Sequence, residues 1–145
     1  MFRLRATSMS DPDPRSASAG ATLRLELFVD DLAASAAFYV GALGFAVEYQ
    51  DHEYASLRNG AVVLGLGLAR RLPAAHHFGQ QAHARQRGVG VEIVLEVPDL
   101  DSVYRRAAAS GYPPEGAPRD RPWGLRDFRI VDPDGYYVRV TSLAG

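Results

Sequence analysis

Trp123 is the only tryptophan in the chain and sits in a Pro122-Trp123-Gly124 turn. A flat indole beside a cleft offers apolar area, a stacking face and an N–H donor together, though the same ring can simply plug the end of a sheet. Tyr49, Tyr54 and Phe128 are further aromatic candidates for ligand contact, each competing with a role in core packing. The histidines offer less. His76-His77 and His83 fall in one stretch between predicted strands and His52 in a predicted turn, and adjacent loop histidines seldom converge on one ion without carboxylates at suitable spacing. Ser35 and Ser56 have no neighbouring base to activate them, and no glycine-rich phosphate loop is present. The absence of cysteine rules out disulfides, thiolate nucleophiles and Cys-ligated zinc.

Such residues need a scaffold, and the chain can build one. Its 145 residues are 47% apolar, with six Phe and seven Tyr, enough for a core without staples. Sixteen basic and 17 acidic side chains give no global field for nucleic acid or an anionic membrane, so neither is expected as a partner. Residues 1–20 are poor in apolar side chains and rich in Ser, Pro, Asp and Ala. They read as a disordered tail without the apolar run of a signal peptide or membrane span, which points to a cytoplasmic protein; Met9 is a second candidate start.

After the tail the chain says nearly the same thing twice. Leu23 to Leu32 lines up with Val91 to Leu100, 68 residues on, and each copy runs through a helical stretch to a Gly-aromatic pair, Gly44-Phe45 and Gly111-Tyr112. Asn59-Gly60 before Ala61-Val62-Val63-Leu64 mirrors Asp134-Gly135 before Tyr136-Tyr137-Val138-Arg139, at a spacing of 75. A single duplication implies two modules closing one pseudo-symmetric domain, with a cleft on the internal axis. Alternation predicts strands over 21–29, 45–50, 54–58 and 61–68 in a first module of about 21–68, with a helix over 33–43 capped by Asp31 and Gly44. A linker covers about 69–89. The second module, about 90–142, repeats the order with strands over 90–97, 114–118, 125–131 and 136–142 and a helix over 101–110 ended by Gly111. Each module is βαβββ, and the fold class is α+β with a curved, barrel-like sheet around the cleft.

The paired modules, Val29-x-Asp31-Leu32 with Ser35 and Phe38-Tyr39 before Leu43-Gly44-Phe45, and the closing Asp132-Pro133-Asp134-Gly135 resemble the vicinal oxygen chelate superfamily of glyoxalases, extradiol dioxygenases and bleomycin-resistance proteins. The run from Arg121 to Phe128 before Asp132-Pro133-Asp134-Gly135 is most similar to the bleomycin-resistance-like branch. That resemblance implies four metal-ligand positions, which fall here on Arg24, Leu64, Glu92 and Arg139. Only Glu92 can ligate a divalent ion; a catalytic site needs about three protein ligands, and arginine cannot shed its proton to donate a lone pair.

No metal or other cofactor is therefore expected. The family register turns Arg24, Glu92 and Arg139 inward, where a guanidinium can bridge to the carboxylate and spare positive charge favours a ligand with an acidic group. The competing placement turns these charges to solvent. By the same resemblance Trp123 matches an aromatic that lines the drug cleft of bleomycin-resistance proteins, and two chains are expected to associate as a homodimer. The function implied is metal-free binding of a small planar or aromatic ligand through Arg24, Tyr49, Tyr54, Leu64, Glu92, Trp123, Phe128 and Arg139. The alternative is a lyase, isomerase or dioxygenase of the superfamily, metal-independent or with divergent ligands such as Glu26, Glu96 and His77.

Overall fold

A computed structural model describes residues 20–79 and 87–143. The expected tail, Met9 and His83 lie outside the described residues. The first module runs β1 (Arg24–Val29), α1 (Leu32–Leu43), β2 (Ala46–Gln50), β3 (Tyr54–Asn59) and β4 (Val62–Leu68). The second runs β5 (Glu92–Val97), α2 (Leu100–Ala109), β6 (Arg119–Asp120), β7 (Arg126–Val131) and β8 (Tyr137–Ser142).

Both helices start where a carboxylate can take up an orphan amide: Asp31 accepts from the Ala34 N–H at 3.0 Å and Asp99 from the Ser102 N–H at 3.1 Å. Gly44 ends α1 in the left-handed region (φ 76°), returning its N–H to the last carbonyls of the helix. The second helix stops at Ala109 with Ser110 as its cap, one residue before Gly111.

Each module forms its own four-stranded sheet, β1-β4-β3-β2 and β5-β8-β7-β6, with the first strand parallel to the last. The barrel-like closure expected from the sequence does not occur, because among the described residues every strand ladder stays within one module. The Pro-interrupted strand expected over 114–118 is also displaced. Pro114 and Pro118 have no N–H to give, so β6 pairs only over Arg119–Asp120, and an isolated Glu115 N–H to Arg129 carbonyl bond of 2.8 Å precedes it. The β3–β4 turn falls on Gly60-Ala61, one residue later than expected.

Strand alternation then sorts the side chains. Leu27, Val29, Ala55, Leu57, Leu64 and Leu66 of the first sheet, and Ile93, Leu95, Phe128, Ile130, Val138 and Val140 of the second, join the helices in one continuous core. Charged and aromatic residues take the opposite, open face of each sheet. The helices lean on each other, and Arg106 of α2 donates to the Val40 and Gly41 carbonyls at the C-terminal end of α1, both at 3.1 Å.

The modules are joined by polar bonds out of water. The Asp132-Pro133-Asp134-Gly135 turn reaches into the first module: Tyr39 donates to Asp132 at 2.7 Å and Ser35 to Asp134 at 3.0 Å. Arg87, almost fully buried, donates to Asp134 at 2.7 Å and to the Phe28 carbonyl at 3.0 Å, and also pairs with Asp30. Burial, aided by the charge and hydrogen bond of Asp132, pushes the Tyr39 hydroxyl well above its ordinary value, so it stays a donor. Removing one partner from a buried pair strands the other charge. Arg87→Ala is expected to lower unfolding free energy by about 3–5 kcal/mol, measured by urea denaturation; a loss no larger than that of an exposed arginine such as Arg105→Ala would refute the clip.

Candidate functional site

The open face of the second sheet is dominated by arginine. Arg129 and Arg139 stand directly opposite each other on β7 and β8, and Arg121 approaches from the turn before β7. Like charges opposed across a ladder are destabilising unless a counter-charge intervenes, and Asp127 is that counter-charge. Its carboxylate is completely buried, 0% exposed. Oδ1 takes both Nε and Nη2 of Arg121 at 2.8 Å, while Oδ2 lies 3.9 Å from Arg139 and 4.0 Å from Arg129, beyond hydrogen-bond reach.

Of the residues expected at the site, Glu92 and Arg139 are brought together. Arg139 Nε lies 2.8 Å from Glu92, but its N–H does not aim at the carboxylate, so the contact is ionic and not a hydrogen bond. The Arg139 guanidinium also sits over the Trp123 indole, 5.9 Å from its centre. Trp123 does not plug the sheet. It rides on a tight turn closed by Arg121 N–H to Leu125 carbonyl (2.8 Å) and remains 55% exposed. Val94, the ladder partner of Arg139, adds an exposed aliphatic patch. Arg129 stacks on Tyr137 with its carbon 5.9 Å from the ring centre, and its hydrogen bond to that tyrosine raises its pKa.

Arg24 does not join this group. It stays in its own sheet, pairing with Glu26 at 2.6 Å and with the Tyr54 hydroxyl, which itself reaches both Glu26 oxygens at 2.8 and 3.0 Å. Burial opposes the Arg24 charge, yet its bonds to Glu26 and Tyr54 prevail and raise its pKa. The ladder makes room for this triad through Gly65, since a Cβ there would overlap the Glu26 carboxylate and the Tyr54 hydroxyl. Tyr49 lies on the exposed edge strand β2 opposite Ser56, with its hydroxyl 2.6 Å from Asp51.

Two expected residues are placed elsewhere. Leu64 is fully buried on the helix side of β4, because Arg24 pairs with Val63 where Glu92 pairs with Tyr137, so the position corresponding to Arg139 is Gly65. Distance from the turn glycine does not identify it, because the partner of Arg24 lies three residues beyond Gly60 whereas the partner of Glu92 lies two beyond Gly135. Phe128 is likewise in the core, its ring 5.5 Å from that of Tyr104 on α2. The fallback set Glu26, Glu96 and His77 is not assembled; among the described residues no group of three or more His, Cys, Asp or Glu could hold a metal ion. His76, His77 and Phe78 form an aromatic cluster, with His76 and Phe78 against Phe28.

Asp127, Arg121, Arg129 and Gly65 were not foreseen as site residues. The alternation of Asp127, Arg129 and Val131 against Tyr137, Arg139 and Thr141 carried a signal, since two arginines on the same face of a predicted hairpin require a counter-ion.

Paired βαβββ modules, each with a helix behind its sheet and polar side chains on the open face, define a two-module α+β scaffold. The model of the Glyoxalase/Bleomycin resistance protein/Dioxygenase superfamily matches residues 22–140, and the chain belongs to that superfamily. Among solved structures it is similar to a glyoxalase/bleomycin resistance protein/dioxygenase from Nocardioides, at 26% identity over 86% of this chain and 84% of that one, TM-score 0.67. It shares its fold with TioX from Micromonospora sp. ML1 (21% identity, 85% and 98% covered, TM-score 0.65). A glyoxalase-related enzyme from Fulvimarina pelagi is comparable (20%, 87% and 89%, TM-score 0.67). No curated protein matches the chain. No helix among the described residues is long and apolar enough to cross a membrane.

The four positions, now Arg24, Gly65, Glu92 and Arg139, supply one possible ligand between them, and its neighbour is a cation. Purified untagged protein is expected to carry well below one equivalent of Zn, Mn, Fe or Ni by elemental mass spectrometry. Near-stoichiometric metal that Glu92→Ala abolishes would contradict this reading of the donor set.

Proposed function

We propose that this chain is a metal-independent binding protein of the bleomycin-resistance-like branch, taking a small planar ligand with an acidic group on the open face of its second sheet. The observation that carries the reading is the stack of Arg139 on an exposed Trp123, with Val94 beside it and Glu92 where a metal ligand would stand. The indole supplies contact area and the guanidinium a charge-assisted hydrogen bond to an oxyanion. Three guanidinium groups meet two carboxylates in direct contact, leaving one positive charge for the ligand. Calorimetry with 2-naphthylacetate and its neutral amide tests this. Trp123→Ala should weaken both by about 1–3 kcal/mol, through lost area and stacking. Arg139→Ala should weaken the acid more than the amide; equal losses, or none in either variant, would place the binding face elsewhere.

The chain is further proposed to act as a homodimer. Among the described residues both sheets end in unpaired edge strands, and β2 is exposed at all five residues, including Val47 and Tyr49. Light scattering is expected to give twice the chain mass at micromolar concentration. A monomer there would remove the dimer from the proposal.

A further inference from the structure

Resting on the reading of the second sheet as the binding face, we propose that Asp127, Arg129 and Arg139 form a clamp for an α-hydroxy acid, a group that brings one hydroxyl donor and a carboxylate to adjacent positions. The inference starts from three atoms of one cluster that make no hydrogen bond, one of them, Arg139 Nε, in ionic contact with Glu92. Asp127 Oδ2, Arg129 Nε and Arg139 Nε are all buried without a hydrogen-bond partner. One is an acceptor and two are donors. Buried polar atoms are usually satisfied, so such a set offers a ligand hydrogen bonds that the chain itself does not make.

The geometry points to what inserts. Asp127 is locked through Oδ1 by Arg121, which leaves Oδ2 fixed in direction between two guanidinium groups 3.9 and 4.0 Å away. Those distances are too long for a hydrogen bond and too short to leave the charges independent. A simple carboxylate ligand would satisfy Arg129 and Arg139 but would set its own negative charge against Oδ2. A hydroxyl next to the carboxylate removes that conflict by donating to Oδ2 while the carboxylate takes the two guanidinium groups. Cover over Oδ2 comes from arginine side chains that are themselves about a quarter exposed (28% for Arg129, 23% for Arg139), so they can part without moving the sheet. Asp127 is thus a specificity-determining residue, and the aromatic part of the ligand lies toward Trp123.

The test compares 2-naphthylglycolate, its O-methyl ether and 2-naphthylacetate, following the indole N–H resonance of Trp123 and measuring affinity by calorimetry. A hydrogen bond to a charged partner predicts that the glycolate binds about tenfold or more tightly than either analogue. Asp127→Asn should bring that ratio close to one. Arg129→Gln, which leaves the Arg121 lock in place, should weaken the glycolate about tenfold and serves if Asp127→Asn fails to fold. Equal affinity for all three acids, with the Trp123 and Arg139 dependence intact, overturns the clamp but leaves the binding face standing. Failure of every acid to shift the indole resonance overturns both.

Discussion

The architecture depends on a turn from one module being solvated by the other. Asp132 and Asp134 sit on the loop before β8, yet their partners Tyr39, Ser35 and the Asp30 amide all belong to the first module, and Arg87 completes the arrangement from the segment between them. None of these groups can return to water without separating the modules. A buried carboxylate without its partners is costly enough to fix the two sheets relative to each other more firmly than apolar contact alone, which is forgiving of small slides. The open face of the second sheet is tied to that arrangement, since β8 leaves the turn directly and carries Arg139 four residues after Gly135.

Within this frame the two modules have diverged in opposite electrostatic directions. At corresponding ladder positions the first offers Arg24 and Gly65, the second Glu92 and Arg139. In the first sheet the missing side chain lets Glu26 and Tyr54 fold inward and neutralise Arg24, so the face closes on itself. In the second, three guanidinium groups of Arg121, Arg129 and Arg139 share the carboxylates of Asp127 and Glu92, and the face remains open and cationic. The scaffold specifies where groups stand, and the identity of four or five side chains decides whether they hold a metal, each other or a ligand.

Much of this was legible in the residues. Both helices, the Asp31 and Gly44 caps and the βαβββ order of elements along each module follow from period and turn chemistry, which are local properties. Glu92 and Arg139 could be placed because β5 and β8 alternate cleanly. Leu64 could not, because its assignment needed β4 to meet β1 in the same register, counted from the turn glycine, as β8 meets β5, and the two differ by one residue. Phe128 was misplaced for a related reason: the residue that faces the opening is its neighbour Asp127, and a shift of one reverses every side chain in a strand. The roles of Ser35 and Arg87 depend on contacts between segments far apart in sequence, for which no local pattern exists.

The unequal loops have a further consequence for how the chain can be divided. A two-residue connection at Gly60-Ala61 cannot reach beyond its own sheet, whereas the five residues from Asp132 to Tyr136 span to the other half. The two halves are therefore not interchangeable: a copy of the first module placed after itself lacks the Asp132 and Asp134 carboxylates that Ser35 and Tyr39 meet. A symmetric pair would need the same reach from both turns, and only the longer one has it. Any attempt to rebuild a symmetric version of this protein has to begin at that loop and not in the core.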